Sequence, residues 1–177
     1  PLGNKILAAD VDKKGQMAFV TAASQSFLSE VVVYSKKGKQ LFRTEDADMM
    51  AVDVALSPDG TQVAVAGVSA EGGAITSTLK VYDLSAPDKA PWTHTESETM
   101  LLGVDYFAGG TVAAVGDNAI WVAKPNGALF EKKTYDDRQL AGFSIGEDSA
   151  ALVLQKYGSS KGGELMMVLP TGDVSFT

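Results

Sequence analysis

The chain has a single histidine, His94, within Trp92-Thr93-His94-Thr95, and the residues missing around it limit its chemistry. A general base needs a partner that orients it, and a metal centre needs further ligands; the chain holds no second histidine and no cysteine. Strand alternation puts Trp92 and His94 on one face, which reads as edge packing rather than catalysis. Acidic side chains offer more material. Glu45, Asp46 and Asp48, then Glu96 and Glu98, then Asp136 and Asp137, form three groups. Carboxylate oxygens suit calcium, but that ion wants six or more converging ligands, and the 45–48 stretch lacks the ordered spacing and glycine of a dedicated loop. Solvated charge on an electronegative rim is the expected reading, with no metal. Ser57 precedes Pro58 in a turn, with no histidine evidently paired with it. Gly109-Gly110 belongs to a hairpin and Gly162-Gly163 has no helix after it, so neither cradles a phosphate. The sequence points to no catalytic residue and no cofactor.

Composition narrows the partners. With 22 acidic against 15 basic side chains the formal charge is -7 and no Arg/Lys stripe interrupts it, so nucleic acid is excluded as an expected partner. An apolar content of 45% over 177 residues is enough for the core of one ordinary domain. The absence of cysteine rules out disulfides without fixing a compartment. No apolar run approaches the roughly 18 residues that span a bilayer. The chain opens Pro1-Leu2-Gly3, as a processed or truncated chain would, so an anchoring segment is expected outside it.

The elements that must position these residues are strands. Short runs rich in valine and aromatics (QMAFVTAA, EVVVY, QLFRT) are separated by turns containing Asp, Lys and Gly. The same order returns as AVDVAL, TQVAVAG and STLKVYDL, and twice more after that. Gly15, Gly60, Gly110 and Ser149 close the first turn of each unit and recur about every 45 residues. In Ser57-Pro58-Asp59-Gly60, proline presets φ, aspartate accepts backbone hydrogen bonds, and glycine takes the left-handed end of the turn. Four-stranded units at this period predict an all-β propeller of four antiparallel blades, at approximately 4–46, 47–97, 98–137 and 138–177, with a two-sheet sandwich as the competing architecture. The blades form either a closed four-bladed ring or part of a larger propeller.

Antiparallel order sends alternate connections to opposite rims. Three long second-to-third loops (23–29, 69–76 and 156–163) share one rim with the three acidic groups, whereas unit three has only Gly116-Asp117-Asn118 there, which leaves a notch. Phe27, Leu28, Ile75 and Tyr157 are the candidate partner-binding residues on that rim. Lys13, Lys14, Lys36 and Lys37 fall on the opposite rim.

The segments LSPDGTQVAVAG and LKVYDL, with VVVYSKKGKQLF and WVAKPNGALF, resemble WD-type and TolB-like propeller repeats, and most of all an uncharacterised family of Gram-positive bacterial propellers carried on a membrane anchor. The Trp-Asp ending of eukaryotic-type blades is missing, and Tyr82-Asp83 is a partial echo of it. The resemblance implies an extracytoplasmic domain and transfers no catalytic residues. The expected function is a non-catalytic scaffold whose loop-rich rim binds an unknown protein or envelope ligand. The alternatives are a propeller hydrolase, lactonase-like or glycan-acting, and a structural module that self-associates through its terminal blades.

Overall fold

The computed structural model describes residues 4–22, 25–71, 73–158 and 162–176. Four antiparallel sheets follow one another along the chain, each a meander of four consecutive strands. The first holds β1 (Ile6–Val11), β2 (Met17–Ala22), β3 (Ser29–Tyr34) and β4 (Gln40–Asp46). The second holds β5 (Met50–Leu56), β6 (Gln62–Glu71), β7 (Ala74–Asp83) and β8 (Trp92–Ser97). β9 (Leu101–Tyr106), β10 (Val112–Gly116), β11 (Ala119–Lys124) and β12 (Leu129–Thr134) make the third. The fourth is β13 (Arg138–Ile145), β14 (Ala150–Lys156), β15 (Glu164–Val168) and β16 (Val174–Phe176). No strand pairs outside its own meander among the described residues, so the sheets resemble propeller blades and share no strands as sandwich sheets would.

The turns form as their side chains dictate. At Ser57-Pro58-Asp59-Gly60 the Gly60 N–H donates to the Ser57 carbonyl at 2.8 Å, while Asp59 Oδ1 accepts from the Ser57 hydroxyl at 2.6 Å and from the Thr61 N–H at 3.0 Å. Gly60 takes φ 67°, and a Cβ there would also press on the Asp12 and Gln16 side chains of the first sheet. One glycine thus serves both the turn and the contact between neighbouring sheets.

Sheet packs on sheet through three apolar clusters. Val20, Val31 and Phe42 of the first sheet bury against Leu56, Val63 and Tyr82 of the second. Ala66, Leu79 and Val81 meet Val104, Tyr106 and Trp121 of the third. Val115, Ile120 and Val122 meet Leu152, Leu154 and Met166 of the fourth. No such cluster joins the fourth sheet to the first among the described residues. The exposed Lys13–Glu147 ion pair links their turns at one rim.

The first strand of each sheet lies innermost. Asp10 of β1 reaches sideways to the Leu56 N–H of β5 at 2.7 Å, and Asp53 of β5 does the same to the Val104 N–H of β9 at 2.9 Å. The ends of β1, β5, β9 and β13 surround a recess of about 240 Å³ lined by Asp10, Leu56, Asp105, Tyr106 and Ile145.

Candidate partner-binding rim

The rim opposite these tight turns is held by side chains that clamp each connection between sheets. After β4, Asp46 Oδ1 accepts from the N–H groups of Asp48 (3.1 Å) and Met49 (2.9 Å), its other oxygen pairs with Lys80 of the next sheet, and the Ser29 hydroxyl donates to the Met49 carbonyl at 2.7 Å. After β8, the Thr99 hydroxyl donates to Asn118 Oδ1 at 2.9 Å and the Met100 N–H to Asp117 Oδ1 at 2.8 Å. The Leu101 N–H donates to the Ser77 hydroxyl at 3.0 Å. Gly116 permits this closeness: a Cβ there would collide with Thr99 Cγ2 and crowd the Ala119 and Met100 carbonyl oxygens. After β12, Tyr135 is fully buried and its hydroxyl donates to the Gly116 carbonyl at 3.2 Å.

Between the second and third sheets this rim carries a cleft of about 650 Å³, lined by Ala74, Ile75, Ser97, Glu98, Thr99, Met100 and Asp117. Its origin is a difference in strand length. The β6–β7 hairpin extends ten residues per strand, while β10 and β11 close tightly over Asp117-Asn118, so one hairpin stands beside a low neighbour. Ile75 and Met100 supply apolar surface; Glu98, held at φ 78°, and Asp117 supply acidic groups. Such a lining suits an apolar side chain with a cationic neighbour, and it assembles no nucleophile with a base.

Of the residues singled out from sequence, Ile75, 53% exposed, lines the cleft. Leu28 is exposed and its N–H donates to the Asp46 carbonyl at 2.8 Å, Phe27 is half-buried beside it, and Tyr157 stands 84% exposed just beyond β14. These sit on the first and fourth sheets, away from the cleft lining. Residues 23, 24, 72 and 159–161 of the three long loops lie outside the described residues. Met100 and Thr99 were not legible as site residues; a methionine just before an inner strand, opposite the shortest loop, is the signal that would have found them.

The acidic residues are mostly engaged. Glu45 and Asp46 end β4 rather than lying in the connection, and Glu45 pairs with Arg43 at 3.1 Å. Asp46 is pushed up by burial, but Lys80 and the Asp48 and Met49 N–H groups hold its carboxyl below the usual range. Glu96, within β8, lies 2.5 Å from Lys132 and 3.0 Å from His94; burial works against its charge, but the hydrogen bonds from Lys132 and His94 hold it low. Asp136 pairs with Arg138 at 3.2 Å and Asp137 with Lys156 at 3.9 Å, while Asp48 and Glu98 are exposed. His94 packs 3.8 Å from the Phe130 ring and edge-on to Trp121 at 5.2 Å.

A convergence the sequence did not reveal lies at the axis. Burial, with Asp10 close by, raises Asp53; burial, with Asp10 and Asp53, raises Asp105, whose Oδ1 accepts from the Tyr106 N–H at 2.7 Å. These carboxylates are spent on main-chain N–H groups, and among the described residues no group of three or more potential ligands could hold a metal.

No curated protein matches the chain. Among solved structures it is similar to the WD40 domain of Neurospora crassa Pan2, at 7% identity and TM-score 0.55 over 97% of this chain and 65% of that one. It is similar to dihydro-heme d1 dehydrogenase NirN at 17% identity and TM-score 0.60, over 94% of this chain and 35% of that one. An acylaminoacyl peptidase gives 15% identity and TM-score 0.56, over 95% and 32%. The chain therefore spans less than two thirds of each, and these likenesses bear on fold alone. Its four sheets are WD40-like in architecture. Residues 2–176 match a family described only as one of unknown function, DUF5711, and the chain belongs to that family.

Proposed function

We propose that this domain is a non-catalytic scaffold that presents its loop-rich rim to a protein partner, with the cleft at Ile75 and Met100 receiving an apolar side chain flanked by lysine or arginine. The observation that carries this reading is the clamped connection at Thr99 and Met100, which fixes the floor of the cleft before any partner arrives. A preordered backbone reduces the entropy lost on binding. Glu98 and Asp117 set the sign of the partner's charge. The resemblance of its repeats to anchored bacterial propellers supports an extracytoplasmic position, on an anchor outside this chain; among the described residues no helix is long and apolar enough to cross a membrane.

Titration with short peptides carrying Leu or Phe beside Arg, followed by amide chemical shifts, tests the cleft. Shifts centred on Ile75, Met100 and Asp117, lost in Ile75→Glu, are expected. Saturating peptide that leaves these amides unmoved would sink the reading.

The axial carboxylates favour a second reading, a lactonase-like or glycan-acting hydrolase working at the recess of Asp10 and Asp105. Turnover of a lactone or aryl glycoside that disappears in Asp105→Asn would replace the scaffold with that enzyme.

A further inference from the structure

Three of the four connections between third and fourth strands are short. They span residues 35–39, 125–128 and 169–173, and each carries a glycine at positive φ, Gly38, Gly127 or Gly172. The second sheet departs from its siblings: its connection runs over 84–91, LSAPDKAP, with two prolines and no glycine. Hydrogen bonds hold it in place. The Leu84 N–H donates to the Thr61 carbonyl at 2.8 Å, the Lys89 N–H to the Ala86 carbonyl at 2.9 Å, and Asp83 Oδ1 accepts from the Ser85 N–H and hydroxyl at 2.9 and 2.6 Å. In repeat folds, insertions confined to one unit fall in loops on one face, often the face that binds.

The longer connection walls a cavity of about 380 Å³ against the short β11–β12 turn of the third sheet, on the rim opposite the Ile75 cleft. Gln62 at the start of β6, Asp83 at the end of β7, Lys89, and Pro125-Asn126 of the neighbouring turn line it together with Trp92. Trp92 is half-buried and packs against the apolar cluster that joins the second and third sheets. The chain's other tryptophan, Trp121, is fully buried. Asn126 Oδ1 accepts from the Ala128 N–H at 2.9 Å, which leaves its amide nitrogen to donate, as Asp83 leaves Oδ2 to accept. One carboxylate and one ammonium balance in this lining, so it favours neither an anion nor a cation.

We propose that this cavity binds a neutral mono- or disaccharide. The indole of Trp92 offers a flat apolar face to the C–H groups of a sugar ring, while Asp83 Oδ2, the Asn126 amide nitrogen and the Gln62 amide meet its hydroxyls. The volume falls at the lower end of the range for small-molecule sites. A proline-rich peptide also packs on tryptophan, but it needs an extended apolar groove; a compact cavity with hydrogen-bonding groups from the strand ends, the connection and the neighbouring turn suits hydroxyls better. The turn hydrogen bonds order both walls before a ligand arrives, which reduces the entropy lost on binding. The site lies apart from the Ile75–Met100 cleft and does not depend on the function proposed for it.

Titration with N,N′-diacetylchitobiose, cellobiose and maltose, followed by tryptophan fluorescence and by the Trp92 indole N–H signal, tests the site. At least one sugar is expected to saturate, changing the Trp92 emission and shifting the Gln62 and Asn126 amides. Asn126→Asp keeps an oxygen for the Ala128 N–H and removes the amide donor, and Asp83→Asn keeps an oxygen for Ser85, so both variants should fold, as near-UV circular dichroism would verify. Each should raise the dissociation constant about tenfold, the worth of one hydrogen bond to the ligand. Three outcomes overturn the proposal: no sugar perturbing Trp92 at millimolar concentrations, binding that either variant leaves unchanged, or signals that respond to a proline-rich peptide and not to the sugars.

Discussion

Leu152 and Val153 are neighbours on β14 and point to opposite faces of one sheet. Leu152 is fully buried against the third sheet, while Val153 is 43% exposed on the terminal face. Residue type does not separate them. What separates them is whether another sheet follows, so in a stack of this kind burial belongs to the seam and not to the side chain. The difference also places stability unevenly: three seams carry it, and the outer face of the fourth sheet contributes less.

Truncation at a seam should have the largest effect. Trp121→Ala removes a buried ring packed between Phe130, His94 and the second sheet, and an expected loss of about 3–5 kcal/mol would be read by urea denaturation. Leu152→Ala should cost about 2–5 kcal/mol by the same measurement. A loss below 1 kcal/mol at either position would break the comparison, because it would mean that the seams are loosely packed.

The acidic groups sharpen the contrast between axis and seam. Asp53 and Asp105 are raised in the folded protein, so their ionisation opposes folding: the stability they allow is greatest at low pH and is lost as pH climbs from the ordinary carboxylate range through the raised values. Asp46, held low beside Lys80, behaves the opposite way, and its contribution is lost as pH falls through its depressed value. Asp105→Asn should therefore stabilise the protein at neutral pH and flatten the fall in stability as pH rises from the ordinary carboxylate range. Asp46→Asn should destabilise at neutral pH and remove part of the acid-side loss. Denaturation across pH would check both, and a matching sign for the two variants would refute the distinction. Both effects should be smaller than those of the seam truncations.

The smallest effect belongs to the terminal face. Val153→Ala should change stability by no more than about 0.5 kcal/mol, read by urea denaturation at low protein concentration. A loss comparable with Leu152→Ala under those conditions would show that the first and fourth sheets already bury that face within one chain.

Much of the fold was legible. Valine-rich alternation and the Pro-Asp-Gly and Asn-Gly turns act over a few residues, and the strands appear where those signals lie. The notch in the third unit was legible too, because a three-residue connection between longer neighbours must lie low. The cleft's other wall was not, since Met100 meets Ile75 only after the second sheet settles beside the third. The innermost place of the first strands was not legible, and it brings Gly103 tight against Phe143 and Asp53. The acidic rim read as solvated charge, but Asp46 and Glu96 find lysines on neighbouring sheets, at sequence separations that no local pattern encodes.

By itself the sequence determined four meanders and the rim to which each connection goes, because turn chemistry and strand alternation are local and repeat with the unit. Only the tertiary structure decided that Asp10, Asp53 and Asp105 share an axis, that Ile75 and Met100 share a cleft, and that Val153 remains uncovered while Val115 is buried. Those outcomes depend on how one sheet leans on the next, which is set by the summed packing of whole faces and has no signature in any short stretch of chain.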